Sequence, residues 1–237
     1  MKKLYSALVA LLLITTIPAI AQKGLYFGIA GTVQNTWMTN QNNYGRSPLD
    51  YQPTFGGSGN INIGFDFTNH LGIKVELGYG QFGQEYKKTI TDSAFTRNVK
   101  MNYFMLPVML KYRTGGALAK FYIAVGPQFD FLLSAKQSYL LNGKAFLDTI
   151  QDLSGKSFIA GDEGIKDRFA SMDVLARLDL GVEITIVKKL MIDLGVKLGY
   201  GLMDLNDTDF RIKDNDGNYK ATHIVTGGLT LGINYRL

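Results

Sequence analysis

No cysteine occurs among the 237 residues of the chain. This absence excludes disulfides, thiolate metal sites and a lipid anchor on an N-terminal cysteine. Proline is scarce, with 5 residues, and the 25 basic residues exceed the 20 acidic ones only slightly. Because the basic residues form no dense block, the charge pattern gives no support for a nucleic-acid partner.

The chain after the N-terminal segment has no long apolar run. No stretch there reaches the roughly 18 apolar residues of a transmembrane helix. By contrast, 27 glycines, 13 tyrosines and 14 phenylalanines are many for this length. Abundant glycine and aromatic residues without long apolar runs are typical of β-barrels. A secreted β-sandwich can share this composition, so the choice between the two depends on periodicity.

The N-terminal segment has the three parts of a secretory signal peptide. Lys2 and Lys3 give a basic start, an apolar run covers residues 8–14, and residues 19–21 read Ala-Ile-Ala, a small-residue cleavage site. We therefore predict that residues 1–21 are a cleaved signal peptide and that residues 22–237 form one domain. An uncleaved anchor helix is the alternative, although the apolar stretch is short for one.

Apolar and polar residues alternate with period two along eight segments, as they do in strands with one apolar face. In the clearest case, every second residue from Phe121 to Leu133 is apolar. Residues 101–110 are the least regular, because they are apolar on both faces. The eight segments cover residues 25–33, 55–67, 71–80, 101–113, 121–133, 173–184, 190–200 and 225–237.

Alternation alone does not distinguish a sandwich, whose apolar face is buried, from a membrane barrel, whose apolar face meets lipid. The length of the segments favours the barrel, since a tilted membrane strand needs about 10 residues and a soluble strand about five or six. Aromatic residues also recur at the segment ends, where a barrel has its interfacial girdles. These residues are Tyr79, Tyr112, Phe121, Tyr200 and Tyr235.

The connections between the segments alternate between short and long. The short ones cover residues 68–70, 114–120 and 185–189, and the long ones cover residues 34–53, 83–98, 136–170 and 203–222. Outer-membrane barrels have short periplasmic turns and long extracellular loops. We therefore predict an all-β fold, an eight-stranded antiparallel transmembrane β-barrel of OmpA- or OmpX-like size with both termini in the periplasm.

Several strand segments resemble a known protein family. Residues 103–112 (YFMLPVMLKY), 121–128 (FYIAVGPQ), 179–183 (DLGVE) and 200–205 (YGLMDL) are similar to strands of the Bacteroidetes outer-membrane barrel proteins called PorT-like or porin-family. The resemblance implies a Gram-negative outer-membrane location. One member of that family takes part in type IX protein secretion, and most have no assigned role. The chain departs from the common pattern by ending in leucine rather than phenylalanine.

The barrel and the resemblance together set our expectations for function. We expect outer-membrane lipid as the surroundings, barrel-assembly machinery as a partner during insertion, and an extracellular or secretion-system protein as a further partner. We expect a monomer without a cofactor. The preferred interpretation is a non-enzymatic envelope protein that acts through its extracellular loops, with residues 136–170 as the best candidate surface. An accessory role in protein secretion is the alternative.

Candidate catalytic and metal-binding residues are few. His70 falls in a predicted turn, and His223 lies at the mouth of the last strand near Asp204. Some small barrels modify lipid A with a histidine, a serine and an acid, but no His-x-Ser pair occurs here, so we predict no enzyme and no catalytic residue. The acidic stretches 204–209 and 214–217 suggest calcium ligands. The second stretch lacks the spacing and the glutamate of an EF-hand loop, and we predict that both stretches are solvated turns without a metal site.

The charges that face the lumen are the one predicted constellation. By alternation, six basic and six acidic side chains point into the barrel. They are Asp66, Lys74, Glu76, Lys111, Arg113, Asp130, Arg177, Asp179, Glu183, Asp193, Lys197 and Arg236. Because unpaired buried charge is unfavourable and an eight-stranded barrel is narrow, we predict a salt-bridged plug. A small pore is the alternative, for which rings of one sign would be expected.

The register of the sixth and seventh segments predicts one ion pair. A tight turn between these segments places Ile186 opposite Leu190. In that register Asp179 lies directly opposite Lys197 on the lumen side. Opposed Cβ atoms are roughly 4.5–5.5 Å apart, which is close enough for a direct ion pair.

The same register predicts one conflict. Glu183 would face Asp193, and two like charges at directly opposed positions destabilise a sheet. A cation is therefore needed between them. We expect it to be Arg177 or Arg236, depending on the stagger of the barrel.

Overall fold

The computed structural model describes most of the chain after the N-terminal segment. The described ranges are residues 24–40, 50–90, 93–116, 118–145, 148–151, 157–160, 163–211, 213 and 217–237. The predicted signal peptide at residues 1–21 lies outside these ranges and stays a prediction. The acidic stretch 214–217 also lies outside them, apart from Gly217.

Eight long antiparallel strands form a closed ring. They are β1 (Leu25–Met38), β2 (Thr54–Asp66), β3 (Leu71–Ile90), β4 (Ser93–Arg113), β5 (Ala119–Leu141), β6 (Met172–Val187), β7 (Leu190–Gly201) and β8 (Ile224–Arg236). Each strand pairs with the next, and β8 pairs with β1 along its length. Because the ring is closed, each of the eight described strands has a barrel strand on both sides, as lipid requires. The predicted eight-stranded antiparallel barrel is confirmed.

Shorter elements belong to the connections at one end of the barrel. They comprise the strands Asp50–Gln52, Lys144–Ala145, Asp148–Gln151, Ser157–Ala160 and Glu163–Gly164 and the 3₁₀ helices Lys166–Arg168 and Thr208–Phe210. Three of these strands add to barrel strands, one to β3 and two to β5. Among the residues that the structure describes, no helix has the length and apolar character needed to cross a membrane.

The two ends of the barrel differ in their connections. At the end that we name the turn end, residues 67–70, 114–118 and 188–189 join the strands. At the opposite end, which we name the loop end, residues 39–53 and 202–223 are among the long connections. The predicted contrast between short turns and long loops therefore holds at these positions.

The predicted long loop at residues 83–98 is wrong. β3 and β4 pair through it as far as Ile90 and Ser93, and only residues 91–92 separate the two strands. Polar side chains such as that of Lys87 occupy the exposed positions of this extension. The apolar half of the alternation therefore stops where the wall leaves lipid, although the strand continues. For the same reason β5 continues to Leu141, well inside the predicted loop 136–170.

Two β-bulges adjust the register of the barrel. In the β6–β7 ladder the register shifts between Thr185 and Val187, so Val187 pairs with Leu190 and the predicted pairing of Ile186 is wrong. Beyond this bulge the ladder has the predicted register. In the β4–β5 ladder a second shift leaves Leu133 without a partner residue. A bulge places two residues opposite one and changes which residues of the strand face inward.

The outward face of the barrel is apolar and exposed. The exposed fractions of Ile29, Phe55 and Leu229 are 63%, 72% and 70%, whereas the inner face of a soluble sandwich would bury such residues. Exposed aromatic side chains lie near both limits of this band, as in the girdles of membrane barrels. They include Trp37, Tyr79, Phe104, Phe131 and Tyr200 toward the loop end and Phe27, Phe67, Tyr112, Phe121 and Tyr235 toward the turn end.

Candidate functional site

The structure places all twelve predicted charges on the inner wall of the barrel. Nine of the side chains are buried, and those of Asp66, Lys197 and Arg236 are partly exposed. Eleven of the twelve belong to two ion-pair networks, one in the middle of the lumen and one near the turn end. Asp130 stands apart from both.

The central network joins β3, β6 and β7 across the lumen. Arg177 binds Asp179 through two nitrogens, at 2.7 and 2.8 Å, and binds Glu76 at 2.9 Å. Lys74 lies 2.7 Å from Glu76 and 3.4 Å from Asp179. Lys197 reaches Glu76 at 3.4 Å. Three cations therefore share two carboxylates, which leaves this group with one excess positive charge.

The network near the turn end contains an acid shared by two arginines. Asp66 Oδ2 accepts from Arg113 Nη1 at 2.5 Å and from Arg236 Nη2 at 2.7 Å. Arg113 Nε also lies 3.3 Å from Glu183 Oε2. β2, β4, β6 and β8 are thereby tied together at the base of the lumen.

Lys111 joins two further acids in the same network. It forms an ion pair with Glu183 and lies 3.8 Å from Asp193 Oδ2. Its ammonium also lies 4.0 Å from the ring centroid of Tyr122, close enough for a cation–π contact. The hydroxyl of Tyr122 donates to Asp193 Oδ1 at 2.6 Å. The buried lysine is thus surrounded by groups that stabilise its charge.

The predicted direct ion pair between Asp179 and Lys197 is wrong, although the two residues are directly opposed as predicted. Asp179 is bound by Arg177 and Lys74, and Lys197 reaches Glu76. The lumen is narrow, so side chains from opposite walls meet. They compete with residues on the adjacent strand as ion-pair partners.

The predicted conflict between Glu183 and Asp193 is present, since the two residues are directly opposed. The expected cations, Arg177 and Arg236, do not bridge it: Arg177 belongs to the central network and Arg236 binds Asp66. Lys111 bridges it instead. The alternation of the sequence predicted that Lys111 points into the lumen. It could not predict which residues of a non-adjacent strand lie at the same height as the Lys111 ammonium group.

Asp130 faces an acid that sequence reasoning missed. Asp173 lies directly opposite it in the β5–β6 ladder, and both are buried. Asp130 accepts from Gln128 Nε2 at 2.9 and 3.0 Å, and Asp173 Oδ1 accepts from the backbone of Val174 at 2.7 Å. Asp173 has the same parity along β6 as Arg177, and that spacing was the signal for its inward position.

The half of the lumen near the loop end contains a buried apolar cluster beside Asp130 and Asp173. Both strands and loops contribute to it. Its members are Met38, Phe82, Tyr86, Val99, Met101, Tyr103, Met105, Leu132, Ala135, Ile165, Phe169, Leu175, Leu205 and Ile224. The apolar character of residues 101–110 on both faces was the sequence signal, because one face meets lipid and the other meets this cluster.

Two loops close the mouth over this cluster. Ile165 and Phe169 come from the connection between β5 and β6, and Leu205 comes from the connection between β7 and β8. Backbone hydrogen bonds fix them: the amide of Ile165 donates to Ala135 at 2.9 Å, and that of Ala170 donates to Leu205 at 2.9 Å. The loops therefore fill the mouth with ordered apolar side chains.

Cavities along the lumen differ in size. A cavity of about 440 Å³ opens at the turn end and is lined by Asp66, Arg113, Lys120 and Arg236 among others. Deeper in the lumen, a cavity beside Glu76 has a volume of about 20 Å³. A second one, beside the central and turn-end networks, has about 10 Å³. Each deeper cavity holds about one water molecule.

The candidate catalytic histidines bind backbone carbonyls. His223 Nδ1 lies 3.1 Å from the carbonyl oxygen of Met203, and its ring stacks on Tyr200 with centroids 5.5 Å apart. His70 Nδ1 lies 3.0 Å from the carbonyl oxygen of Arg113. In the described ranges, neither ring has a hydrogen bond with a serine or a carboxylate.

The acids of stretch 204–209 stabilise loop structure. Asp204 accepts from Tyr219 at 2.7 Å, from the amide of Thr222 at 3.0 Å and from Arg211 at 2.9 Å. Asp207 accepts from the amide of Asp209 at the start of a 3₁₀ helix. No group of three or more potential metal ligands was found in the described part of the chain.

The structure is a barrel with an apolar outer wall and a filled lumen. The sequence of this chain matches a known protein family over most of its length. The family model is described as the outer membrane protein beta-barrel domain, and it matches residues 20–207. This chain belongs to that family. It is therefore an integral protein of the outer membrane. A search of curated proteins finds no match.

Solved structures with a similar fold are remote in sequence. Neisserial surface protein A shares 13% identity, with 91% of this chain and 98% of that chain covered and a TM-score of 0.45. OprG from Pseudomonas aeruginosa shares 8% identity, with 91% and 97% covered and a TM-score of 0.47. Outer Membrane Protein W from E. coli shares 13% identity, with 91% and 99% covered and a TM-score of 0.37.

Proposed function

We propose that this outer-membrane barrel is a non-enzymatic envelope protein that acts through the surface at its loop end. The observation that carries the proposal is the filled lumen, in which paired charges and an apolar cluster follow one another toward the mouth. An interior of this kind gives solutes no wide path, because pores are lined by open rings of charge or polar groups. Recognition therefore falls to the outer surface.

The loop end faces the cell exterior in this proposal. Barrels of this class have short periplasmic turns and longer extracellular loops. β3, β4 and β5 contain 20, 21 and 23 residues, about twice the number that crosses lipid. Their excess length projects beyond the loop end as a three-stranded sheet, residues 83–90, 93–100 and 134–141, which we name the projecting sheet.

The projecting sheet is suited to recognition by side chains. Its outer strands are paired with added strands, Asp50–Gln52 on β3 and Glu163–Gly164 and Lys144–Ala145 on β5. A covered edge does not readily accept a further strand from another protein. We propose that an extracellular or envelope protein contacts the exposed polar face of this sheet.

A shortened hairpin tests whether the projecting sheet carries the function. Tyr86 and Arg97 are directly opposed, as are Ile90 and Ser93, which flank the present two-residue turn. The two pairs occupy the same type of position in the ladder. A two-residue Asn-Gly turn can therefore replace residues 87–96. We expect this variant to insert normally but to fail to restore the envelope phenotype of a deletion strain. The matched control replaces residues 115–117 at the turn end. Full activity of the shortened hairpin would overturn the proposal.

Thiol labelling of intact cells tests the orientation. We expect an impermeant reagent to label Thr89→Cys at the loop end and not Asn69→Cys at the turn end. Both positions are exposed, so access depends on the side of the membrane. Gly155, which belongs to the predicted loop 136–170, lies outside the described residues. Labelling at 69 without labelling at 89 would reverse the orientation.

The finer family assignment is also a proposal. On the resemblance of residues 103–112 and 121–128 alone, we propose that the chain is a PorT-like, Bacteroidetes-type barrel. An accessory role in type IX secretion would follow only by analogy. Deletion of the gene tests it: loss of secreted cargo from the medium would support the role, and unchanged secretion would remove it.

A further inference from the structure

Two lysines lie side by side on the outward wall of the projecting sheet. Lys100 of β4 is directly opposed to Lys136 of β5, and both side chains are exposed. Opposed residues in an antiparallel ladder have Cβ atoms about 4.5–5.5 Å apart, and like charges at that distance destabilise the sheet. The pair is therefore unfavourable unless an anion neutralises it.

Within the described ranges, neither lysine has an ion pair. Their row of the sheet continues to Gly83 on β3 and to Gly164 on the added strand, and neither residue has a side chain. Glu85, an acid two residues further along β3, is bound to Lys87 at 2.7 Å. Among the residues that the structure describes, the two ammonium groups therefore have no acid paired with them.

The residues below the pair form two layers toward the apolar band. Asn102 Nδ2 donates to Ser134 Oγ at 2.9 Å. The next layer contains Phe104 and Phe131, whose ring centroids are 6.2 Å apart and whose side chains face outward. From the apolar band outward, the barrel wall therefore changes from aromatic to polar to basic residues. A lipid changes in the same order, from acyl chains to polar linkage atoms to the charged headgroup.

The height of the pair also fits a lipid headgroup. Phe104 lies four positions along β4 from Lys100, which is about 13 Å along a strand and about 10 Å along the membrane normal at the usual tilt. The headgroup layer adds roughly 5–8 Å beyond the hydrocarbon on each side. Lysine side chains are long and bend toward such a layer, which brings both ammonium groups within reach of phosphate.

We propose that Lys100 and Lys136 together bind the phosphate of an outer-leaflet glycolipid of the lipid A class. A phosphomonoester carries about 1.5 to 2 negative charges, which matches two ammonium groups better than a phosphodiester does. The inference rests on the orientation proposed above. The site lies on the side wall next to the apolar band rather than at the top of the sheet, and this position favours a lipid over a soluble polyanion.

Lipid retention by the full chain tests the site. The protein is purified from outer membranes in mild detergent, and bound lipid A is quantified by native mass spectrometry. We expect Lys100→Gln/Lys136→Gln to bind lipid A roughly thirtyfold more weakly, since each lysine near an anionic surface contributes about a fivefold factor. Lys144→Gln/Lys166→Gln is the matched control, because it removes two exposed charges at the same end.

The possible results distinguish a failure of the proposed lysine site from a failure of the proposed orientation. Weakened retention in the first variant alone supports the proposal, and equal retention by both variants overturns it. Retention of glycerophospholipid in place of lipid A would mean that the lysines meet the inner leaflet, so the orientation would fail. Binding of dephosphorylated lipid A with unchanged affinity, or of a soluble acidic peptide in preference to lipid, would also overturn the site.

The unfolding temperature, measured with and without lipid A, gives a second test. A variant that simply folded poorly would not give the result expected here. In detergent without lipid A, we expect Lys100→Gln to unfold at the same temperature as the wild type or higher, because it removes a like-charge contact. With lipid A added, the wild type should gain more stability than the variant. An equal gain in both proteins would contradict phosphate binding at this pair.

Discussion

Glu183 and Asp193 lie directly opposite each other across the β6–β7 ladder, although both are acidic and buried. Lys111 extends from β4, which pairs with neither strand, and forms ion pairs with both acids. One cation from another wall of the barrel therefore stabilises a contact that would otherwise destabilise the sheet. Tyr122 completes the arrangement by donating to Asp193 at 2.6 Å.

Replacement of Lys111 by methionine should strongly destabilise the barrel. The change keeps most of the side-chain volume but leaves two opposed acids without their shared cation. Breaking a buried ion pair by removing one partner costs about 3–5 kcal/mol. Urea unfolding of refolded protein, followed by the gel mobility of the folded barrel, measures this cost. Lys188→Met is the control, because Lys188 is an exposed residue of the turn between β6 and β7 at the same end of the barrel. A cost below about 1 kcal/mol for Lys111→Met would contradict the bridging role.

Arg177 and Lys197 should differ in importance, although both are lumen cations. Arg177 binds two acids at 2.7 and 2.9 Å, whereas Lys197 reaches only Glu76, at 3.4 Å, in a network with one excess positive charge. We expect Arg177→Met to cost about 3 kcal/mol or more and Lys197→Met to cost less than about 1 kcal/mol. The same urea unfolding measures both. Equal costs would mean that the charges act independently of the observed pairing.

Alternation predicted the strands only where the wall meets lipid. β2 and β7 have an apolar outer face along most of their length, and their predicted bounds are close to those observed. β3 and β4 continue to Ile90 and Ser93, but beyond the lipid the exposed residues are polar, so the period-two signal is lost there. The bulge near Val187 also had no sequence signal, because one extra residue in a turn leaves the alternation on either side intact.

The candidate site was predictable by residue but not by partner. Strand parity identifies the twelve inward charges, and the turn between β6 and β7 was enough to predict that Asp179 lies opposite Lys197. The observed partners come from other walls, as with Lys197 and Glu76. Such contacts depend on the stagger of the whole barrel and on side-chain reach, and neither quantity is encoded in a local pattern.

Replacement of His223 by alanine should leave lipid A unchanged. The ring of His223 lies against the carbonyl oxygen of Met203 and the ring of Tyr200, which is a structural role at the loop end. Mass spectrometry of lipid A from cells that express the variant or the wild type checks this prediction. His70→Ala at the turn end is the control. A changed acylation pattern in the His223 variant alone would show that this barrel is an enzyme.

The conductance of the wild-type barrel tests the central claim most directly. Purified protein is reconstituted in planar bilayers, its folded state is verified by gel mobility, and a general porin serves as the conducting control. Because the deeper lumen cavities hold about one water molecule each and the mouth is filled by Ile165, Phe169 and Leu205, we predict no discrete current steps. Reproducible, ohmic steps from the wild-type protein would contradict a filled lumen and with it the proposal that the barrel acts through its outer surface.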